Sequence, residues 1–325
     1  MNFLGFSSEN DSIFLSQESK KDDFISLNNV IDKRLNDQRF IEENMIQQLL
    51  DWSKLKGDTN DKLLATFTHA NYLTNKGEKQ KGIGLLNHIL ESAVLDKTLE
   101  FKTRLLLRDT YFSQEAFDKV MFAHKSLNWE DTEPFFESYA PSYFIAFVYL
   151  KIGNYQHAAE LLQSSIQKMQ EHNFHYLEMS LTNSLGVCFE RMGELDSAMF
   201  YYSKAAEMLE NNFTIGENIT EAKYNSALGL FIGNKGQVLA AKGRHLEAIP
   251  LLKLDIYVSL RDSNSIAQPE NGVISLLRLA QSYIATDQIM KAKASIEEVE
   301  SLIPAIENPE LWEMLYKTKS QYFEK

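Results

Sequence analysis

The sequence predicts an all-α protein, a right-handed α-α superhelix built as a solenoid of antiparallel helix hairpins. Three observations predict it. A short phrase recurs along the chain: a small residue, an aromatic or leucine three positions on, a turn residue four after that, and an alanine five further on. It reads Gly186, Phe189, Gly193, Ala198; Ala146, Tyr149, Gly153, Ala158; Gly236, Leu239, Gly243, Ala248; and Ala280, Tyr283, Asp287, Ala292. The small residue lets two helices approach, the turn residue reverses the chain, and the alanine closes the contact from the returning helix. Secondly, the turn positions Gly77, Glu115, Gly153, Gly193, Gly243 and Asp287 are spaced 38, 38, 40, 50 and 44 apart, the spacing of a hairpin array. Thirdly, 325 residues contain only 14 glycines and 6 prolines, with no run of either, which leaves no obvious flexible linker.

The segments follow in order. Residues 1–21, rich in serine, asparagine and acids with scattered Phe3, Phe6, Ile13 and Phe14, form a loose N-terminal arm. Residues 22–57 form a capping hairpin: Phe24, Leu27, Ile31 and Leu35 have helical spacing, and Phe40, Met45, Leu49 and Trp52 resume it after a break near Asn36-Asp37. Gly57 ends that hairpin and Asp58 offers an N-cap to the next helix. The repeat solenoid occupies 58–308, interrupted by connections at 128–134, where Pro134 opens a helix, at 211–218, and at 262–272 around Gln268-Pro269-Glu270. Residues 309–325 form a last helix, the first half of an unfinished hairpin, with Ser320 and Phe323 in the small and aromatic slots. Trp312, Leu315, Tyr316 and Phe323 lie on it, and two outcomes are open: self-association through this end, or packing of the helix as a cap.

These residues resemble the tetratricopeptide repeat family, which adds a bulky and a small residue to the second helix, here Tyr202 and Ala205. The resemblance is strong over Ser142–Ala205, fair over Asn234–Leu252 and Leu276–Val299, and poor before Ser138, where Glu115 and Val120 hold the turn and alanine slots. The family unit is about 34 residues, shorter than every interval here. The resemblance implies that the first helix of each hairpin lines a concave groove, with two slots three residues apart pointing into it. Moving along the repeats, the first slot holds Thr68, Leu106, Phe144, Ser184, Asn234, Arg278 and Thr318, and the second holds Asn71, Asp109, Phe147, Val187, Gln237, Gln281 and Gln321. A branch of the family that grips acidic chaperone tails is matched by Asn234 and Arg278. Asn183, Val187 and Ile274 depart from it, so that clamp is not implied.

Composition narrows the function classes. A formal charge of −12 argues against direct nucleic-acid binding. The single Cys188 forms no internal disulfide and reads as a buried structural thiol. No stretch approaches the roughly 18 apolar residues of a membrane span, and the first residues lack a signal peptide's basic start. A cytoplasmic location follows for the chain as written, or an exported or periplasmic sensor fragment if a longer chain was cut. No nucleophile elbow, phosphate loop or zinc pattern is present, and His172 with His175 supplies too few ligands for a metal. No cofactor and no catalytic residue is expected. Asn212-Phe213-Thr214 and Asn218-Ile219-Thr220 match the glycosylation acceptor.

The candidate site is therefore the groove. Asn183, Ser184, Asn234, Gln237, Arg278 and Gln281 bring polar groups to successive repeats, and amides there can pair with the backbone of an extended peptide. Arg278 can add a charge-assisted bond to a carboxylate. Tyr143, Phe144 and Phe147 add an apolar pocket upstream. The function expected is a non-catalytic scaffold that binds a protein segment or peptide. The alternative is the sensory part of a bacterial signalling kinase or peptide-responsive regulator.

Overall fold

The computed structural model describes residues 21–36, 40–55, 57–127, 141–262, 265, 268–306 and 308–325. The proposed N-terminal arm, the break at Asp37 and the helix expected to open at Pro134 lie outside them. The chain forms two compact units, Met1–Pro134 and Phe135–Lys325. Among the described residues the regular structure is helical, apart from one isolated bridge between Ile215 and Ile219.

The first unit holds α1 (Lys21–Asn36), α2 (Glu43–Leu55), α3 (Thr59–Asn75), α4 (Lys79–Leu90), α5 (Lys97–Phe112) and α6 (Phe117–Lys125). Phe24, Leu27, Ile31, Leu49 and Trp52 are buried between α1 and α2, with the Phe24 and Trp52 rings stacked 4.5 Å apart. Asp58 caps α3 in a reciprocal box with Asp61, after Gly57 has closed α2. Thr68, a groove slot by register, is instead fully buried and donates to Asn28 Oδ1 of α1 at 2.6 Å.

The second unit holds α7 (Pro141–Lys151), α8 (Tyr155–Glu171), α9 (His175–Arg191), α10 (Leu195–Asn212), α11 (Glu221–Ala241), α12 (His245–Leu260), α13 (Pro269–Ala285), α14 (Ile289–Leu302) and α15 (Pro309–Phe323). Each packs on its neighbours in sequence. The longest turn spacing has two causes. Helix α11 is 21 residues long, and the connection before it is built, with Thr214 N–H donating to Asn218 Oδ1 at 2.8 Å and Asn218 Nδ2 to Asn212 O at 2.9 Å. One glycosylation-acceptor asparagine, Asn218, thus spends its amide inside the loop.

The six turn positions share one conformation. Gly77, Glu115, Gly153, Gly193, Gly243 and Asp287 all have positive φ, between 56° and 91°. After each, the next N–H reaches back to the aromatic or leucine slot: Asn154 to Tyr149 at 2.9 Å, Glu194 to Phe189 at 2.9 Å, Arg244 to Leu239 at 2.9 Å and Gln288 to Tyr283 at 2.8 Å. This left-handed cap satisfies carbonyls that the helix end would otherwise orphan. The slots around it are buried as the phrase requires: Ala146, Ala158, Ala198, Ala248, Ala280 and Ala292 are all inaccessible. Gly186 sits against the return helix, where a Cβ would meet the Tyr202 ring at 2.6 Å. In the hairpin of α5 and α6 the small slot is Arg108, buried beside its ion-pair partner Asp109 at 2.7 Å, which accounts for the poor match there.

A polar knot lies in the second unit's interior. Asp255 of α12 is 2% exposed and accepts hydrogen bonds from Ser259 of its own helix and Ser275 of α13. Gly233 of α11 backs onto it so closely that a Cβ would stand 2.4 Å from its Oδ2. Burial raises the Asp255 carboxyl to about 6, against the lowering effect of the two serines.

Helix α15 packs against α13 and α14. Leu311 and Leu315 are 1% exposed within the cluster formed with Tyr283 and Ile296, and Thr318 is buried. Its other face leaves Trp312, Tyr316 and Phe323 exposed.

Candidate functional site

The first helices of the second unit's hairpins, α7, α9, α11, α13 and α15, present the residues singled out by register. Arg191 at the end of α9 pairs with Glu310 at the start of α15, Nη2 to Oε2, at 3.7 Å. Packed helix axes stand 8–10 Å apart, so three hairpin steps in a flat row would separate these helices by roughly 25–30 Å. Two side chains meeting across that interval require the row to curve, and the face that carries them is concave.

Two polar bridges cross neighbouring helices on this face. Asn234 of α11 donates Nδ2 to Asn183 Oδ1 of α9 at 2.9 Å, both residues being buried. Arg278 of α13 donates Nη1 to Gln281 Oε1 at 3.2 Å, and Gln281 donates Nε2 to Thr318 Oγ1 of α15 at 3.0 Å. Gln237, one turn after Asn234, is half-buried, and its side chain makes no hydrogen bond among the described residues. Ser184 turns its hydroxyl to the backbone of Ser180 at 3.1 Å.

Asn234 bears on stability as well as binding. Asn234→Ala leaves the buried Asn183 oxygen without its partner, and a loss of about 1–3 kcal/mol is expected in denaturant unfolding of the chain. Register names the face on which Asn234 lies but not its depth. Gln237 is the cleaner probe of binding.

The aromatic residues share a core. Tyr143 and Phe147 of α7 meet edge to face at 6.0 Å and pack against the cluster of Ala158, Leu162, Leu181 and Leu185; Phe144 is half-buried beside them.

The residues that register missed are charged. Glu190 and Arg191 both act on Arg278, whose guanidinium burial pushes below its usual range while Glu190 opposes the shift and Arg191 adds to it. Arg278 Nε is buried without an acceptor. Glu190 Oε2 is already committed to the Tyr202 hydroxyl at 2.7 Å. Only the position of Arg191 beside the turn Gly193 hinted at a cation on this edge. A separate depression of about 840 Å³ lies at the built loop, lined by Tyr176, Ile215, Glu217, Ile219 and Lys223.

The tetratricopeptide repeat model matches residues 183–212, the second half of α9 and all of α10. Transcriptional activator NprA of Geobacillus stearothermophilus is 27% identical over 198 residues, 58% of this chain and 43% of its own. The matched stretch is thus less than half of that relative. The apo quorum sensor NprR from B. thuringiensis superposes with a TM-score of 0.64 at 12% identity, covering 94% of this chain and 82% of that one. NprR in complex with its cognate peptide NprX gives 0.62 at 14% identity, with coverages of 94% and 86%. The repeat-model match and the two superpositions agree with the hairpin geometry above: in fold the chain is a TPR-like protein, a helical-repeat solenoid.

Proposed function

We propose that the concave face of the second unit binds an extended peptide or protein segment and that the protein is non-catalytic. The buried Asn183–Asn234 pair carries this reading. An amide has two donors and an acceptor, and the bridge uses one donor of Asn234 and one acceptor of Asn183. The pair thereby fixes two amide planes on neighbouring repeats, as an extended backbone with alternating donors and acceptors requires. Gln237 and Gln281 continue the row, and Tyr143, Phe144 and Phe147 stand at its upstream end as the place for an apolar side chain. The likeness to NprR with its cognate peptide favours a peptide over a folded partner.

The test is a degenerate heptapeptide pool passed over the immobilised chain, with bound sequences read by mass spectrometry. Selected peptides should bind Gln237→Ala more weakly by about threefold to tenfold, and alanine at the exposed Phe200 should leave binding unchanged. Equal affinity for both variants removes the groove.

The match to a transcriptional activator favours a second, compatible reading, in which this chain is the ligand-sensing part of a bacterial regulator. At a net charge of −12 it would not itself contact nucleic acid. Isolation of the protein at its native length from its source, with identification of what accompanies it, tests this. Self-association through α15 is a further expectation, because Trp312 and Tyr316 form an exposed apolar face. Trp312→Glu with Tyr316→Glu should convert a light-scattering dimer to a monomer without loss of helicity. A monomer before and after removes the idea.

A further inference from the structure

We propose that the groove between α12 and α14, on the outer side of the second unit, docks an acidic amphipathic helix of a partner protein, with its apolar side on the floor of the groove and its acids toward Lys253 and Lys291. This surface lies away from the concave face, and the inference does not depend on the peptide reading.

The groove follows from the hairpin alternation. Helices α12 and α14 are the second helices of successive hairpins, so they run in the same direction with α13 beneath them. A depression of about 370 Å³ opens between them over a floor of Ile256, Leu276, Leu279 and Tyr283. At 3.6 residues per turn, the last three stand on the side of α13 opposite Arg278 and Gln281. On the α14 wall the exposed residue is Ala294, whose short side chain leaves the floor open. On the α12 side Lys253, Tyr257 and Arg261 follow at four-residue spacing, with Tyr257 52% exposed. Eight residues of helix are about 12 Å long, a wall of two turns. The volume is near the lower end of ligand pockets, roughly 300–1,000 Å³. It suits one or two apolar side chains carried on a helix, and two parallel helices with a gap between them accept a third lengthwise.

Charge selects the occupant. The chain carries 45 acids against 33 lysines and arginines, yet this groove is lined by three cations, Lys253, Arg261 and Lys291, and one acid, Glu298. Arg261 and Glu298 answer each other across the groove from α12 to α14. The two lysines remain. Lys253 is exposed and makes no ion pair among the described residues. Lys291 donates Nζ to the neutral amide of Gln288 at 2.7 Å and stands 5.6 Å from the centre of the Tyr283 ring, which fixes it over the floor without an anion. The next acid along α14, Glu297, faces Lys293 at 3.7 Å. Two unanswered cations on opposite walls of an apolar floor match a helix with apolar residues along one side and carboxylates at both borders of it.

The experiment passes pools of hydrocarbon-stapled helices, each about 15 residues long, over the immobilised full chain. One pool has leucine or phenylalanine at i, i+3, i+4 and i+7 with glutamate bordering them, a second replaces the glutamates by lysine, and a third keeps the glutamates but replaces the apolar positions by serine. The first pool should be retained, and the other two should not. Its best members should bind the double variant Lys253→Glu with Lys291→Glu about tenfold more weakly. They should also be lost from Ala294→Arg, which adds a favourable charge but closes the floor by bulk, whereas Gln237→Ala on the concave face should leave them unchanged. All the substituted residues on α12 and α14 are exposed, so circular dichroism of these variants should match the parent. Failure to retain the first pool, or retention that neither the lysine reversal nor Ala294→Arg disturbs, overturns the proposal. Equal retention of the serine pool also overturns it, because the surface would then attract anions without using its floor. If no pool binds but sedimentation shows a dimer that the lysine reversal dissociates, the groove belongs to a second copy of this chain and the partner helix is ruled out.

Discussion

Leucine in place of Gly186 should lower the stability of the second unit by about 1–3 kcal/mol, at the upper end of that range. The added Cβ alone would stand 2.6 Å from Cε1 and 2.7 Å from Cδ1 of Tyr202. That ring cannot yield cheaply. It is 0% exposed, and its hydroxyl is held by Glu190 Oε2 at 2.7 Å, so any displacement of the ring also strains a partly buried hydrogen bond to a carboxylate. Thermal and denaturant unfolding followed by circular dichroism read the effect, and Gly84→Leu, where a Cβ meets nothing within 4 Å, is the control. Equal stability of the Gly186 variant would mean that α9 and α10 do not pack through this contact.

The second large effect depends on pH. Asp255 ionises near 6 in the folded chain and near 3.8 when exposed. The folded state therefore holds the proton more tightly, and its stability falls as pH rises from about 4 to about 6. Below that window the carboxyl is protonated in both states and costs nothing; above it the folded chain carries a buried charge. A shift of about two units corresponds to about 3 kcal/mol. Asp255→Asn, which keeps the shape, accepts from one serine through Oδ1 and donates Nδ2–H to the other once that hydroxyl turns to accept, should flatten this slope and stabilise the chain at pH 7 by up to an amount of that order. An unchanged pH profile in the variant would show that the Asp255 carboxylate is not desolvated. Gly233→Ala tests the same knot by packing, since its Cβ would press on Asp255 from α11.

Much of the fold was legible because a hairpin turn is a local problem. A helix that ends in a left-handed residue selects glycine, or a residue that tolerates that conformation, and so Gly77, Gly153, Gly193 and Gly243 announce themselves. Glu115 and Asp287 take the same conformation without being glycine, and spacing alone identified them. Arg108 was not legible: a buried arginine in a slot for small residues contradicts the pattern, and its charge is met by the neighbouring Asp109. The site was legible by face and not by depth. Periodicity places Asn183, Asn234, Arg278 and Gln281 on one side of their helices, but whether an amide is free or spent depends on the neighbouring helix. That neighbour lies 51 residues away for Asn234 and 37 for Gln281. Glu190, Arg191 and Glu310 depend on the curvature of the row, which no local window contains.

The contact between Arg191 and Glu310 has a kinetic side. In a linear array each hairpin touches only its neighbours, so a unit opens locally without consulting distant ones. Here the last helix is also fastened to one three hairpins back, and that fastening is electrostatic and exposed to solvent. Its strength is at most about 1 kcal/mol and weakens as ions screen it. Amide exchange in α15 should therefore quicken with ionic strength while exchange in α11 and α12 does not, making this helix sensitive to the salt around it.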